Sequence, residues 1–391
     1  MKYKLRAITR PPGHHFFGYY DMRPWDPTGR YHLCLEVAFM DRPPRADDIA
    51  TIGMIDLAGG EGPQPQHIAV GGSCRFIPLT QTRAWNFQQG CMMHWLDERT
   101  VLFNDRREDR FVCVAHDVGT GRQRVLGPAT ADVTADGRLA ATLNFARIAV
   151  TRPGYGYEGL DDPFADRNVT EQDGLGVLDL RTGQHRLVMN FTELAATQEP
   201  QLAYGMHKVY FNHVLFNPSG TLLSVIVRQV VPPKGWWTQL WTVGATGTPL
   251  LRCLEGPMVS HYDWKDDRTI IAWAGIDGVT GMWEFDALRQ NPPRLLYREM
   301  IRRDGHIAYS HDRRRIVCDT YPDADGQREL FIAGYPDGPK HSLGLYHSPM
   351  TPGVPEIRCD FHPSFSADDR FIAFDGMHEG SRQRYVAELL S

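Results

Sequence analysis

The stretch His306-Ile-Ala-Tyr-Ser-His-Asp-Arg313 contains the pattern that decides the fold. A histidine is followed three positions later by an aromatic residue, then by a tight polar turn, an arginine and an apolar run. Short apolar segments on either side of such a turn are typical of a β-hairpin. The stretch therefore predicts a strand, a turn and a second strand.

The same phrase recurs along the chain at spacings of roughly 40–80 residues, which match the ~40–50 residues of a propeller blade plus insertions. Further clear copies begin at His213, His261 and His362, and looser copies begin at Trp25, His94 and Ala131. Seven copies predict an all-β, seven-bladed β-propeller that spans residues 1–391 as a single domain. A pair of two-sheet β-sandwiches is the alternative architecture.

The two ends of the chain contain strand-like segments, Lys4–Thr9 and Arg384–Leu389. We expect them to share the last blade, because this pairing closes the ring and removes the exposed sheet edges.

The composition does not point to a nucleic-acid or membrane partner. Hydrophobic residues make up 42% of the chain, charged residues make up 23%, and the net charge is −5. These values are ordinary for a globular protein, and they give no electrostatic reason to expect nucleic acid or an anionic membrane as a partner. No apolar run approaches the ~20 residues of a membrane span, and the N-terminus has no signal-like apolar region. We therefore expect a cytoplasmic protein.

Four histidines, His213, His261, His306 and His362, hold the same position in successive copies of the phrase. In a propeller the innermost strands begin near the central channel, so the four imidazoles are expected to converge there. Neutral imidazoles suit a divalent ion such as Zn²⁺ or Mn²⁺. Cys359 is expected to be a further ligand of this ion or a support for the ligands. In the alternative interpretation, each histidine only hydrogen-bonds the neighbouring blade.

Several segments, most of them aromatic-rich, resemble the propeller polysaccharide lyases, which include oligogalacturonate, ulvan and rhamnose–glucuronate lyases. These segments are Phe16–Asp21, Ala84–Gly90, Arg152–Tyr157, Asp319–Pro322 and Arg358–Pro363. The resemblance implies a lyase that cleaves uronic-acid-containing oligo- or polysaccharides by β-elimination. Relatives without an assigned activity leave a second interpretation open, a non-catalytic carbohydrate-binding or scaffold propeller linked to polysaccharide metabolism.

The resemblance also implies roles for individual residues. The ulvan-type enzymes use two histidines about twenty residues apart, and His94 and His116 match that pair. Tyr157 is the candidate acid, with Tyr155 as its substitute. The oligogalacturonate lyases instead rely on a channel metal with His and Gln ligands, and this would make the four-histidine site catalytic rather than structural.

Two further features concern the substrate. Neutralising the uronate carboxylate requires a fixed cation, for which Arg152 or Lys208 is the candidate. The tandem pair Trp236-Trp237 is either a sugar-stacking platform or part of the core.

Overall fold

The computed structural model describes residues 1–58, 74–197, 208–230, 235–256, 258–351 and 353–390. Helices in this part of the chain are short: α1 (Phe145–Thr151), α2 (Phe191–Ala196) and a 3₁₀-helix (Pro355–Ile357). None of these described helices is long and apolar enough to cross a membrane.

The strands form seven four-stranded sheets, the blades, in which consecutive strands are neighbours. The chain opens with β1 (Lys2–Ala7). Blade one contains β2 (His14–Phe16), β3 (Tyr31–Val37), β4 (Ala50–Asp56) and β5 (Phe76–Thr82). Blade two contains β6 (His94–Trp95), β7 (Thr100–Arg107), β8 (Arg110–Asp117) and β9 (Gln123–Pro128). Blade three contains β10 (Thr130–Val133), β11 (Leu139–Thr142), β12 (Gly174–Asp179) and β13 (His185–Asn190).

The remaining blades continue in chain order. Blade four contains β14 (Val209–Phe216), β15 (Leu222–Val230), β16 (Trp236–Gly244) and β17 (Leu250–Gly256). Blade five contains β18 (Val259–Trp264), β19 (Thr269–Ile276), β20 (Val279–Asp286) and β21 (Arg294–Leu296). Blade six contains β22 (Ile307–Tyr309), β23 (Arg315–Asp319), β24 (Gln327–Gly334) and β25 (Lys340–His347). Blade seven contains β26 (Ser364–Phe365), β27 (Phe371–Gly376) and β28 (Gln383–Leu390), with β1 beside β28.

This architecture confirms the predicted seven-bladed β-propeller, and the β-sandwich alternative is wrong. Each of the seven phrases lies where the first strand of a blade turns into the second. The predicted pairing of the chain ends is also present, because β1 runs antiparallel to β28 with Tyr3 opposite Leu389.

The polar turn of the phrase is held by its own side chains. In blade six, the Ser310 hydroxyl donates to the Asp312 carboxylate at 2.7 Å and accepts the backbone N–H of Arg315 at 3.0 Å. In blade seven, Ser366 makes the same two bonds, to Asp368 at 2.7 Å and from the N–H of Phe371 at 3.0 Å. The serine and aspartate side chains therefore make hydrogen bonds within the turn that water would otherwise make.

The aromatic residues of the phrase fill the space between neighbouring blades. In blade five, the Tyr262 hydroxyl donates to the carbonyl oxygens of His213 and Ser224, at 2.8 and 3.0 Å. The indole N–H of Trp264 donates to the carbonyl oxygen of Leu215 at 3.3 Å. Both rings are buried, so their polar atoms need partners, and the backbone of blade four supplies them.

The chain divides into two compact units. The first unit comprises Met1–Arg106, Val114–Val125 and Gly305–Ser391, and the second comprises Arg107–Cys113 and Leu126–Asp304. Blades one, six and seven belong to the first unit, and blades three, four and five belong to the second. The expectation of a single domain stays a prediction.

Candidate metal centre

Three buried side chains of the first unit come together where blades six and seven begin. They are His306, Asp360 and His362, and one ligand atom from each lies within 4.8 Å of the other two. His306 is 1% exposed, Asp360 is 0% exposed and His362 is 2% exposed. We call this group the metal-centre triad.

His306 is oriented by a carboxylate at the end of the neighbouring strand. It directly precedes β22, and Asp319 is the last residue of β23. The Asp319 carboxylate accepts the backbone N–H of His306 at 2.7 Å and lies 2.9 and 3.0 Å from its Nδ1. His306 Nε2 lies 4.0 Å from an oxygen of Asp360. A carboxylate on one ring nitrogen is the usual way in which a metal-binding histidine is oriented.

Asp360 is a buried carboxylate held between two arginines. Arg328 Nη2 lies 2.8 Å from one of its oxygens, and Arg358 Nε lies 2.7 Å from the other. Burial alone would raise the pKa of Asp360, but the positive charges of Arg358 and Arg328 hold it well below its ordinary value. Asp360 is therefore ionised, which is the form that binds a cation.

His362 is the member of the triad whose ring nitrogens are both buried and unsatisfied within the described part of the chain. Neither of its buried ring nitrogens has a hydrogen-bond partner among the described residues. Burial, together with the neighbouring His306, holds the pKa of His362 well below its ordinary value, so the ring is neutral. Its backbone φ is +45°, a left-handed conformation that a histidine seldom adopts. Buried polar atoms are nearly always paired, so the unsatisfied ring of His362 marks a place for a ligand.

Segments that carried the family resemblance surround the triad. The ring of Tyr19 lies 4.9 Å from that of His362, and the ring of Tyr20 lies 5.3 Å from that of His306. The buried amide of Gln88 donates to the carbonyl oxygens of Glu356 and Arg358, both at 3.0 Å. Gln88 therefore holds the loop that precedes Asp360.

The donor set suits a divalent transition metal. Two neutral imidazoles and one ionised carboxylate provide two nitrogen ligands and one oxygen ligand, a combination that binds Zn²⁺, Mn²⁺ or Fe²⁺. The unsatisfied ring nitrogens of His362 fit this role. Cys359 does not belong to the triad, and burial raises the pKa of its thiol to about 11, so the sulfur is protonated.

The other two histidines of the predicted metal set belong to the second unit. His213 is buried with its ring 4.3 Å from that of Tyr262, and its backbone φ is +49°. His261 Nδ1 lies 2.9 Å from a carboxylate oxygen of Asp304. The triad thus contains two of the four predicted ligands, and metal binding by His213 and His261 stays a prediction. Sequence reasoning missed Asp360, although the segment Arg358–Pro363 had been singled out.

The predicted acid–base pair, His94 and His116, lies in blade two. Burial, with a smaller contribution from Arg23 and against the opposing effect of Asp21, lowers the pKa of His94 to about 4. The Nε2 of His94 has no hydrogen-bond partner in the described part of the chain. The Nδ1 of His116 lies 3.4 Å from the Gln123 amide nitrogen, and burial lowers the pKa of His116 as well. The two histidines share a sheet but have different neighbours, and their pairing stays a prediction.

The remaining candidates are placed in the second unit. Tyr157 is fully buried, with its ring stacked on Phe145 at 4.4 Å. Lys208 Nζ lies 2.8 Å from a carboxylate oxygen of the buried Asp162, so this lysine already has a counter-ion. Arg152 follows α1 and packs against two aromatic rings.

Comparison with known proteins identifies similar folds. No protein-family model matches the chain, and no curated protein sequence matches it. An oligogalacturonate lyase in complex with manganese is 14% identical over 99% of this chain and 93% of that chain, with a TM-score of 0.68. The oligogalacturonate lyase of Vibrio parahaemolyticus is 13% identical over 100% of this chain and 94% of that chain, with a TM-score of 0.66.

A peptidase is also similar in part. A puromycin-hydrolysing peptidase of Mycobacterium tuberculosis is 12% identical over 92% of this chain but only 50% of that chain, with a TM-score of 0.50. At these identities the similarity establishes the fold and leaves the activity open. The chain therefore has the seven-bladed β-propeller fold that is also found in the oligogalacturonate lyases.

Proposed function

We propose that this protein is a carbon–oxygen lyase that cleaves uronic-acid-containing oligosaccharides by β-elimination, with a divalent metal held by the metal-centre triad. The observation that carries the proposal is the buried His306–Asp360–His362 group, in which the ring of His362 has no hydrogen-bond partner among the described residues. The similarity over nearly full length to two oligogalacturonate lyases, one in complex with manganese, supports both the substrate class and the metal.

The reaction requires a base, an acid and a group that stabilises the negative charge on the substrate carboxylate. A base removes the proton on C5 of the uronate, a double bond forms between C4 and C5, and the bond between C4 and its oxygen breaks as that oxygen takes up a proton. The C5 proton is removable only when the charge developing on the adjacent carboxylate is stabilised. A divalent cation held by His306, Asp360 and His362 would supply that stabilisation by withdrawing electron density from the carboxylate.

The charges around the triad favour an anionic substrate once the metal is bound. Arg328 and Arg358 carry two positive charges, which Asp319 and Asp360 balance when both are ionised. A bound divalent ion would then give the centre a net positive charge, which would attract a uronate carboxylate. The two arginines also fix Asp360, so that the ligand does not have to reorganise when the metal binds.

The proton-transfer residues form a second part of the proposal. His94 and His116 are the proposed acid–base pair, with Tyr157 as the acid, and both histidines are neutral near pH 7 because burial lowers their pKa values. Arg152 or Lys208 is the proposed cation for the substrate carboxylate, and Lys208 is paired with Asp162 in this structure. His261 is a further candidate base, since Asp304 orients its ring from the Nδ1 side.

The test is a lyase assay on oligogalacturonates and oligosaccharides that contain glucuronate, with Mn²⁺ added, following the ultraviolet absorbance of the unsaturated product. We expect product with the wild type and a loss of roughly 100- to 1,000-fold with His362→Asn. Asparagine is chosen because it tolerates the left-handed backbone at this position. His347→Asn, at an exposed histidine of blade six, is the matched control. Absence of product across the whole panel would leave a non-catalytic carbohydrate-binding propeller as the better interpretation.

A further inference from the structure

Met350 is an exposed methionine whose sulfur contacts an arginine of the candidate metal centre. Its side chain is 40% exposed, whereas other methionines, such as Met93 and Met282, are fully buried. The Nη2 of Arg328 donates to the sulfur of Met350 at 3.9 Å. A thioether sulfur is a weak hydrogen-bond acceptor, so this N–H is only weakly satisfied. Met350 therefore connects the solvent to a buried charge of the metal centre.

Arg328 is the residue through which a change at Met350 reaches the triad. It is fully buried, and its Nε and Nη1 donate to the carbonyl oxygens of Ser348 and Thr320, at 2.9 and 3.4 Å. Its Nη2 lies 2.8 Å from a carboxylate oxygen of Asp360. Neither oxygen of Asp360 has an aligned hydrogen-bond donor among the described residues, so this contact is an ion pair. The same Nη2 thus faces both Met350 and Asp360.

A second contact ties the segment before Met350 to the metal centre. The hydroxyl of Ser348, two residues before Met350, donates to the carbonyl oxygen of Cys359 at 2.7 Å. Cys359 directly precedes Asp360 in the chain, and both Ser348 and Cys359 are fully buried. A displacement of this segment would therefore reach Asp360 through the backbone as well as through Arg328.

We infer that Met350 is an oxidation site that controls metal binding by the triad. The sulfur attacks one oxygen of hydrogen peroxide, the O–O bond breaks, and the departing hydroxide takes the proton of the transferred oxygen and leaves as water. The sulfur is oxidised by two electrons and the peroxide is reduced.

The sulfoxide oxygen is a stronger hydrogen-bond acceptor than the thioether, and it extends from the atom at which the Arg328 N–H now points. It therefore draws Arg328 away from Asp360, and the triad then binds its metal less tightly. This inference rests on the proposed function for its metal.

The test is a titration of metal-free protein with Mn²⁺ before and after treatment with hydrogen peroxide, with free Mn²⁺ measured by electron paramagnetic resonance. Mass spectrometry measures the oxidation of Met350 itself. We expect oxidation to weaken Mn²⁺ binding by the wild type about 10-fold, the effect of disturbing a residue that supports a metal ligand. Met350→Leu should keep its affinity after treatment, and methionine sulfoxide reductases should restore that of the wild type.

Two further comparisons separate this effect from general oxidative damage. Met258→Leu, at a methionine of the second unit that is 39% exposed, is the matched control and should lose affinity on treatment as the wild type does. Met350→Gln places an amide oxygen where the sulfoxide oxygen would lie, and it should bind Mn²⁺ about 10-fold more weakly without treatment. Met258→Gln should bind as the untreated wild type does.

The outcomes separate this inference from the lyase proposal. If the wild type binds Mn²⁺ equally well with Met350 oxidised and reduced, the inference is wrong and the metal centre stands. Equal losses for the wild type and Met350→Leu would also overturn it, as would a Met350 that peroxide does not oxidise.

If the wild type binds no Mn²⁺, the metal of the proposed function is wrong, and thermal unfolding in EDTA tests the contact by itself. A lower melting temperature after oxidation of the wild type, but not of Met350→Leu, would then support the link from Met350 to Asp360. Equal shifts for the two proteins would overturn that link.

Discussion

The histidine of the repeated phrase has different surroundings in blades four and five from those in blades six and seven. In blade four, His213 packs on Tyr262, and in blade five, His261 lies beside Asp304. In blade six, His306 lies between Asp319 and Asp360, and in blade seven, His362 has buried ring nitrogens without a hydrogen-bond partner among the described residues. The same position in the repeat therefore produces a packed residue, a hydrogen-bonded pair and a candidate metal site.

The residue two positions before each histidine explains much of this difference. Asp360 precedes His362 by two residues and approaches the histidine of the previous blade, His306, at 4.0 Å. Asp304 precedes His306 by two residues and likewise contacts the histidine of its previous blade, His261, at 2.9 Å.

The residue two positions before His261 is the apolar Val259, so the histidine of the previous blade, His213, receives no carboxylate from that position. An Asp-x-His sequence in one blade thus supplies a carboxylate to the blade before it. A metal site also needs a histidine whose ring nitrogens are not already hydrogen-bonded. The ring nitrogens of His362 have no hydrogen-bond partner among the described residues.

The largest expected effect on stability is that of Asp360→Asn. The change removes the carboxylate that pairs with both Arg328 and Arg358, and breaking a buried ion pair in this way costs about 3–5 kcal/mol. Urea unfolding in EDTA measures the free energy of unfolding without a contribution from bound metal. Asp325→Asn, at an exposed aspartate of blade six, is the control and should stay within about 0.5 kcal/mol of the wild type. A loss below about 1 kcal/mol for Asp360→Asn would contradict the role given to this carboxylate.

A smaller, pH-dependent effect is expected at His94, the histidine of the phrase in blade two. Its pKa is lowered, mainly by burial, to about 4 in the folded chain, against an ordinary value of 6.5. Between these values the unfolded chain binds a proton that the folded chain does not, so the wild type loses stability as the pH falls from 6.5 towards 4. His94→Gln should flatten this dependence in that window, whereas the exposed control His347→Gln should not. An unchanged slope in unfolding experiments across the window would show that His94 is not buried as described.

The smallest effect is expected from Asp304→Asn. This carboxylate has His261 as its partner, and its side chain is 17% exposed. Because water still reaches it, the loss should be about 1 kcal/mol or less, well below that of Asp360→Asn. Equal losses for the two aspartates would remove the distinction between the hydrogen-bonded pair of blade five and the buried centre of blades six and seven.

The sequence predicted the features that repeat along the chain. The seven turns, the pairing of β1 with β28 and the placement of His306 and His362 at the start of blades six and seven follow from local patterns. A turn such as that of Ser310 and Asp312 is made by neighbours in sequence, so its signal can be read locally.

The partners of the site side chains were not predictable in the same way. Asp319 is 13 residues from His306, and Arg328 reaches Asp360 from another blade. The counter-ion of Lys208, Asp162, is 46 residues away in an insertion that has no equivalent in the other phrases. Such contacts depend on how blades and insertions pack, which the period of the repeat does not encode.

The central claim, a metal bound by the triad of blades six and seven, is tested most directly by titrating metal-free protein with Mn²⁺ and measuring free Mn²⁺ by electron paramagnetic resonance. His362→Asn and His213→Asn form a matched pair, because both positions have a left-handed backbone that asparagine tolerates. We predict about one bound ion per wild-type chain. His362→Asn should lower the affinity for Mn²⁺ by more than about 100-fold, which is a larger loss than the mutation of a residue that only supports a ligand causes. His213→Asn should bind as the wild type does if the triad is sufficient, and it should bind Mn²⁺ more weakly if His213 is a ligand, as the repeat predicts. Absence of binding by the wild type, or equal losses for both variants, would contradict the account.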